Sequence, residues 1–127
     1  ALYTPETFSA RSSDASALRS DLARLGDRLG LALTPERIAV PKAEFLGAQM
    51  LAYDDATLGQ IAYVDAAGNP LLFCIYAQGG PDAPPRRETL GRFAATSWSQ
   101  GGRGYMVIGR LPSDDIAAIA DALMRQI

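Results

Sequence analysis

Cys74 and scattered carboxylates are the side chains of this sequence that could do covalent or acid–base chemistry, because the 127-residue chain contains no histidine. A Ser-His-Asp triad, a Cys-His pair and a zinc site of Cys and His are therefore excluded. Cys74 is the only cysteine, and it lies between Phe73 and Ile75 in the most apolar segment. This setting favours a buried thiol over a redox sensor. We expect no catalytic residue, no metal and no cofactor; the alternative is an enzyme that uses carboxylates with Ser or Tyr.

Residues 104–110 (GYMVIGR) are one substitution short of the start of a phosphate-binding loop. The side chains between the two glycines are large and partly β-branched, so they favour an extended strand. Leu111 stands where the motif needs a hydroxyl, and Pro112 intervenes before a helix can start. The stretch therefore predicts a hairpin, with residues 100–104 as its turn, in place of a nucleotide site.

Five arginines make residues 81–110 locally basic, opposed only by Asp82 and Glu88. They are Arg86, Arg87, Arg92, Arg103 and Arg110. A solvated face is the default interpretation, and the sharper hypothesis is an interaction surface for an anionic partner such as lipid headgroups. The net charge of −2 gives no general attraction to nucleic acid.

Other candidate side chains have structural explanations. The pairs Asp54-Asp55 and Asp114-Asp115 fit a turn and a helix start, since Ca²⁺ needs more oxygen ligands than either offers. The strand aromatics fit a core under the helices, and the alternative is that some line a ligand or peptide groove. These aromatics are Tyr63, Tyr76, Trp98 and Tyr105.

The elements that must position these residues form one domain, 1–127, of the α+β class. After a lead-in at 1–11, a leucine stripe predicts a helix capped by Ser12, Ser13 or Asp14 and ended by Gly30. Thr34 begins a short helix or 3₁₀ turn. We predict an antiparallel sheet of about five strands, a loop at 78–87 and a final helix with Ser113 as N-cap, both helices packing on the sheet. The predicted strands are 44–53, 58–65, 70–77, 90–99 and 105–110.

The helix and strand motifs resemble the extracytoplasmic domain of single-pass transmembrane anti-sigma factors. The resemblance covers roughly residues 15–125 and rests on turns, aromatics and helix ends. The motifs are Arg28-Leu29-Gly30, residues 46–51 (LGAQML), residues 62–68 (AYVDAAG), Trp98 with Gly101, Gly102, Gly104 and Tyr105, and Gly109-Arg110-Leu111. In the second motif Ala48 and Gln49 replace the glycine and arginine of the family.

The resemblance implies a periplasmic domain, tethered to the inner membrane in its parent protein through a helix that precedes the lead-in. A missing cytoplasmic segment would bind a sigma factor. The domain itself would sense or relay an envelope signal by binding a protein, a second copy or a ligand, or through proteolysis of an exposed segment such as 78–87. The alternative is a free-standing small-molecule or peptide-binding module of the periplasm, with a peptide added at a sheet edge.

Overall fold

Two helices and a six-stranded antiparallel sheet form the fold, in a computed structural model that describes residues 15–53 and 56–127. The elements are helix α1 (Ala15–Leu29), strands β1 (Ala43–Tyr53), β2 (Ala56–Asp65), β3 (Pro70–Tyr76), β4 (Ala83–Leu90), β5 (Phe93–Gln100) and β6 (Arg103–Gly109), and helix α2 (Ser113–Gln126). The strand order is β1-β2-β3-β6-β5-β4. The α+β prediction is confirmed, with six strands in place of five.

Both helices pack on one face of the sheet, which carries the main core. Leu22, Leu25 and Leu29 of α1 are buried, as the leucine stripe predicts, and α1 lies close to β2 because Gly59 has no side chain there. On the α2 side, Ile116 and Leu123 are fully buried. Each large apolar side chain buried in this way stabilises the fold by roughly 1.5–3 kcal/mol.

Aromatic rings fill the helix-facing core along the central strands. Phe73, Trp98 and Tyr105 stack with ring centroids 5.2–6.1 Å apart. Tyr63 is also buried in this core, so three of the four singled-out aromatics lie under the helices. The fourth, Tyr76, lies against the cluster on the opposite face.

The opposite face carries a second buried apolar cluster, whose described members all lie on strands. Leu46, Leu58, Ala62, Leu72 and Cys74 form its centre, with exposed fractions of 8% or less. Because side chains alternate along a strand, β3 contributes to both clusters and is buried on both faces. This confirms the central position that its continuous apolar sequence predicts.

The loop predicted at 78–87 is present only as far as residue 82, and the strand predicted at 90–99 begins at Phe93. Strand β4 occupies Ala83–Leu90, a turn at Gly91 and Arg92 follows, and β5 begins at Phe93. Every residue of β4 is exposed, so the sequence has no apolar alternation to reveal it. The sequence Pro84-Pro85 also disfavours a strand because proline has no N–H to donate. Proline is nevertheless tolerated on an edge strand such as β4.

Gly30, Thr34 and the 100–104 turn lie where they were predicted. Gly30 ends α1 with φ +73°, and Thr34 Oγ1 accepts a hydrogen bond from the Arg37 N–H at 3.3 Å in a single turn. The 100–104 turn is a two-residue hairpin with positive φ at Gly101 and Gly102. The N-cap of α2 is Pro112, which makes no side-chain cap, and Ser113 is the first helical residue, so that prediction was wrong. The lead-in and the caps at residues 12–14 lie outside the described residues.

The connection from β3 to β4 crosses one end of the sheet, where Gly79 and Asp82 hydrogen-bond to β5 and to the β5–β6 turn. The Gly79 N–H donates to Gly102 O at 2.8 Å, the Ser99 hydroxyl donates to Gly79 O at 3.0 Å, and the Gly101 N–H donates to Asp82 Oδ1 at 3.0 Å. A Cβ at Gly79 would overlap the backbone of Arg103 and Gly104. This connection therefore lies directly on the β5–β6 turn.

Candidate interaction groove

A surface groove of about 370 Å³ lies on the face opposite the helices, at the end of the sheet where β3 ends and β6 begins. Strand register places its residues in two rows. Tyr76 pairs with Gly104, Gly104 with Ser99, and Ser99 with Ala83. A Cβ at Gly104 would lie 3.4 Å from Gly79 Cα and 3.5 Å from Tyr76 Cβ, so the glycine lets both residues approach this part of β6.

The second row of the groove carries its charge. Met106 pairs with Ser97, and Ser97 with Arg86 of the edge strand. Among the residues that the structure describes, Arg86 is the only charged one that lines the groove. Its guanidinium donates to Glu88 Oε1 at 2.9 Å. The groove thus has an apolar side at Tyr76 and Met106, serine hydroxyls in its floor and a cation at its outer side.

The five predicted interaction arginines do not converge on one surface. Arg86 lines the groove, whereas Arg87 projects from the helix-facing side of β4 and pairs with Asp114 at 2.7 Å. Arg92 lies in the β4–β5 turn, and Arg110 stacks over the Phe93 ring at 5.5 Å from its centroid. Arg92 and Arg110 both lie at the end of the sheet opposite the β5–β6 turn. An anionic partner would therefore meet separate arginines and not a continuous basic face.

Arg103, the fifth arginine, binds the end of α1. Its Nε donates to Leu29 O at 2.7 Å and an Nη atom donates to Gly30 O at 3.1 Å. Carbonyls at a helix end lack intrahelical partners, and a cation is favoured there. Burial raises the pKa of Tyr105, and the neighbouring Arg103 opposes that shift. Sequence reasoning missed this role because 74 residues separate Arg103 from Leu29.

Two other ionisable groups, the Cys74 thiol and the Tyr63 hydroxyl, are buried. Burial raises the pKa of the Cys74 thiol to about 11, so the reactive thiolate is disfavoured at neutral pH. Burial likewise raises the pKa of Tyr63, whose hydroxyl donates to Ile38 O at 2.6 Å. These surroundings favour structural roles for both residues.

A second hollow, of about 380 Å³, lies between α2 and the start of β1. Lys42, Asp65 and Asp115 line it together with apolar side chains, among them those of Leu71, Leu111 and Ile119. Asp65 is committed to the β2–β3 turn: hydrogen bonds from the Asn69 backbone and side chain, then from Ala67 and Gly68, lower its pKa. Lys42 has a left-handed backbone, with φ 64°.

Of the two carboxylate pairs, Asp114-Asp115 lies within the described residues, and its two side chains have different surroundings. Asp114 pairs with Arg87 and Asp115 faces the second hollow, while Asp54-Asp55 lies outside the described residues. Within residues 15–53 and 56–127, no three His, Cys, Asp or Glu side chains are grouped closely enough to hold a metal ion. In the same ranges, neither helix is long and apolar enough to span a bilayer.

Comparison with known proteins identifies a fold relative. No family model matches the chain, and no curated protein matches it in sequence. Among solved structures, the crystal structure of MucB in complex with MucA(peri) matches with a TM-score of 0.51 and 16% sequence identity. The match covers 63% of this chain and 31% of that chain, so this chain aligns with about a third of the solved one. The likeness shows a shared fold.

Proposed function

We propose that this chain is the extracytoplasmic sensory and interaction domain of a transmembrane anti-sigma factor, acting by binding and not by catalysis. The observation that carries the proposal is the fold likeness to MucB, a protein solved in complex with the periplasmic part of another protein, as its name MucA(peri) indicates. The family resemblance of the helix ends, turn glycines and strand aromatics supports the finer assignment to anti-sigma factors.

The groove gives this proposal a physical basis. It is open to solvent beside an exposed edge strand, and its lining combines aromatic, hydroxyl and guanidinium groups. Aromatic and arginine side chains are enriched where proteins recognise partners. Partner binding at this groove would shift the domain between two states, and a membrane helix in the parent would relay the shift to the segment that holds the sigma factor.

Co-purification tests the proposal. The full-length parent protein, tagged and purified from its native cells, should bring down one alternative sigma factor, identified by mass spectrometry. A matched version without the segment that precedes Ala1 should lose that sigma factor. Recovery of no sigma factor with the full-length protein would contradict the proposal.

A second candidate function, small-molecule binding, is favoured by the hollow beside Lys42. Its apolar floor with a few charged groups is typical of small ligand sites. Native mass spectrometry of the protein purified from its own cells should then show an added mass that disappears in a Leu111→Arg variant. A single apo mass in both proteins would count against this candidate.

A further inference from the structure

In the groove beside β4, apolar side chains lie on the inner strands and the guanidinium of Arg86 lies on the edge strand. Tyr76 and Met106 lie on the inner strands, Ser97 lies between them and the edge, and Arg86 lies on the edge itself. Strand spacing of roughly 4.8 Å places Arg86 about 10 Å from Met106 across the sheet. A ligand that fits this row therefore carries an anionic group and an apolar group a few bonds apart.

Arg86 has donors left for such a ligand. Its ion pair with Glu88 is exposed, with 78% and 42% of the two side chains accessible, and exposed pairs of this kind are weak. A guanidinium has five N–H donors in a planar fork that suits a carboxylate. A carboxylate entering the groove can therefore share Arg86 with Glu88 or displace it.

The distribution of charge favours a protein segment over a membrane. Arg86 and Glu88 are the charged residues that β4 directs to the groove face, while Arg87 points to the helix side. Binding to an anionic membrane needs several basic residues on one face, at roughly 1 kcal/mol each. The prolines Pro84 and Pro85 lack N–H groups, so addition of a strand to the β4 edge is disfavoured.

We propose that the groove binds an extended acidic segment of a partner protein, with a carboxylate on Arg86 and a neighbouring apolar side chain against Tyr76 and Met106. This assignment rests on the proposed function, in which the domain acts through a partner. It specifies that partner by chemistry: an acidic side chain one or two residues from an aliphatic one. The Ser97 hydroxyl lies between the two contacts.

The test uses the 127-residue chain and a short synthetic peptide in which glutamates flank a leucine. Two-dimensional NMR should show peptide-induced shifts at Ser97, Ser99, Gly104 and Met106. Arg86→Gln should weaken binding about tenfold or more, because a charge-assisted bond is lost. The matched control Arg87→Gln, on the same strand but the other face, should change affinity by less than about twofold. A peptide with glutamine for glutamate should bind as weakly as the Arg86→Gln variant does.

Several results would overturn this assignment. One is the absence of shifts at millimolar peptide, and another is an equal loss in the Arg86 and Arg87 variants, which indicates diffuse attraction. Binding of phosphatidylglycerol vesicles that depends on Arg86, without binding of the peptide, would assign the groove to lipid. Sigma-factor co-purification does not involve the peptide, so it can fail while the groove still binds, or succeed while the groove does not.

Discussion

Lys42 is the non-glycine residue with a left-handed backbone in the part of the chain that the structure describes. It follows Pro41 in a turn closed by a hydrogen bond from the Ala43 N–H to Val40 O at 3.2 Å. Proline followed by a residue with positive φ is typical of a type II turn, in which glycine is preferred at the second of these positions. The backbone of Lys42 is therefore strained in this turn, because a lysine occupies a position that favours glycine.

Lys42→Gly should stabilise the domain by about 0.5–1 kcal/mol. The left-handed conformation costs a lysine roughly 1–2 kcal/mol, and the greater freedom of glycine in the unfolded chain offsets part of the gain. Urea unfolding measures the difference. Lys42→Ala is the control, since it removes the charge but keeps the strained Cβ. Equal stabilisation by both variants would show that charge and not strain is responsible.

The Tyr63 hydroxyl makes a hydrogen bond that the sequence does not reveal. It donates to Ile38 O across 25 residues, and both residues are 1% exposed or less. Tyr63→Phe should lower the free energy of unfolding by about 1–3 kcal/mol, because the Ile38 carbonyl loses its donor in a buried place. Denaturant unfolding monitored through Trp98 fluorescence measures this loss.

Thr96 provides the matched control for Tyr63. It is 1% exposed, and its hydroxyl oxygen has no hydrogen-bond partner among the described residues. Thr96→Val also removes a buried hydroxyl but breaks no bond, so stability should stay equal or rise by up to about 1 kcal/mol. Comparable losses in the two variants would mean that packing, and not the bond to Ile38, accounts for the Tyr63 effect.

Asp65 links stability to pH through the β2–β3 turn. Its carboxylate accepts bonds from Asn69 N–H at 2.8 Å and Ala67 N–H at 3.0 Å, and the Asn69 bonds lower its pKa most. A carboxylate whose pKa is lower in the folded state stabilises the fold at pH values above its unfolded pKa, about 3.9. This stabilisation is lost as the pH falls through the folded pKa. Asp65→Asn should therefore destabilise the domain more at pH 6 than at pH 2. Urea midpoints at both pH values measure this, and a pH-independent difference would contradict it.

At the scale of elements, Arg103 connects the β5–β6 turn to helix α1. Arg103→Ala should cost about 1–3 kcal/mol, since two bonds from a charged donor to the Leu29 and Gly30 carbonyls are lost. Hydrogen exchange should also become faster in the last turn of α1. Arg92→Ala is the control, because Arg92 is exposed in a turn and should change stability by less than about 0.5 kcal/mol. Unchanged exchange in α1 would exclude a clamping role for Arg103.

Most elements were predictable from the sequence because they bury one face. The leucine stripe of α1 and the apolar run of β3 are visible in the sequence because the side chains that form them are buried in the fold. Strand β4 was missed for the same physical reason, since it buries none of its residues and is held by backbone pairing to β5. The N-cap of α2 was misplaced by one residue because serine is a common cap, whereas Pro112 occupies that position with an extended ψ of 148°.

The groove was only partly predictable from the sequence. Arg86 and Tyr76 were both recognised as candidates, one for an anionic partner and one for a ligand groove. Their proximity depends on the register of four strands, including the register shift between Ala83 and Arg86 in β4. Composition carries no information about that register. The arginine cluster, by contrast, is close in sequence but divided between faces and ends, because adjacent strand residues point in opposite directions.

At the scale of the whole molecule, the central strands join two apolar clusters on opposite faces. Residues Phe73 and Ile75 belong to the helix-facing cluster, and Cys74 between them belongs to the other. Neither cluster can open without disturbing the strands that the other needs. We therefore expect the described domain to unfold as one cooperative unit, which Cys74 can report because it is the only thiol.

Cys74 should react slowly with iodoacetamide at pH 8 in the native protein and rapidly in urea. The thiol is 3% exposed, and burial raises its pKa to about 11, so modification requires opening. If that opening is global, Tyr63→Phe, which acts on the opposite face, should accelerate native labelling by about 5- to 150-fold, the factor that corresponds to its loss of 1–3 kcal/mol. Labelling that is slow but insensitive to Tyr63→Phe would show that the second face opens independently. Labelling of the native protein as fast as a free thiol would return Cys74 to the redox-sensor hypothesis.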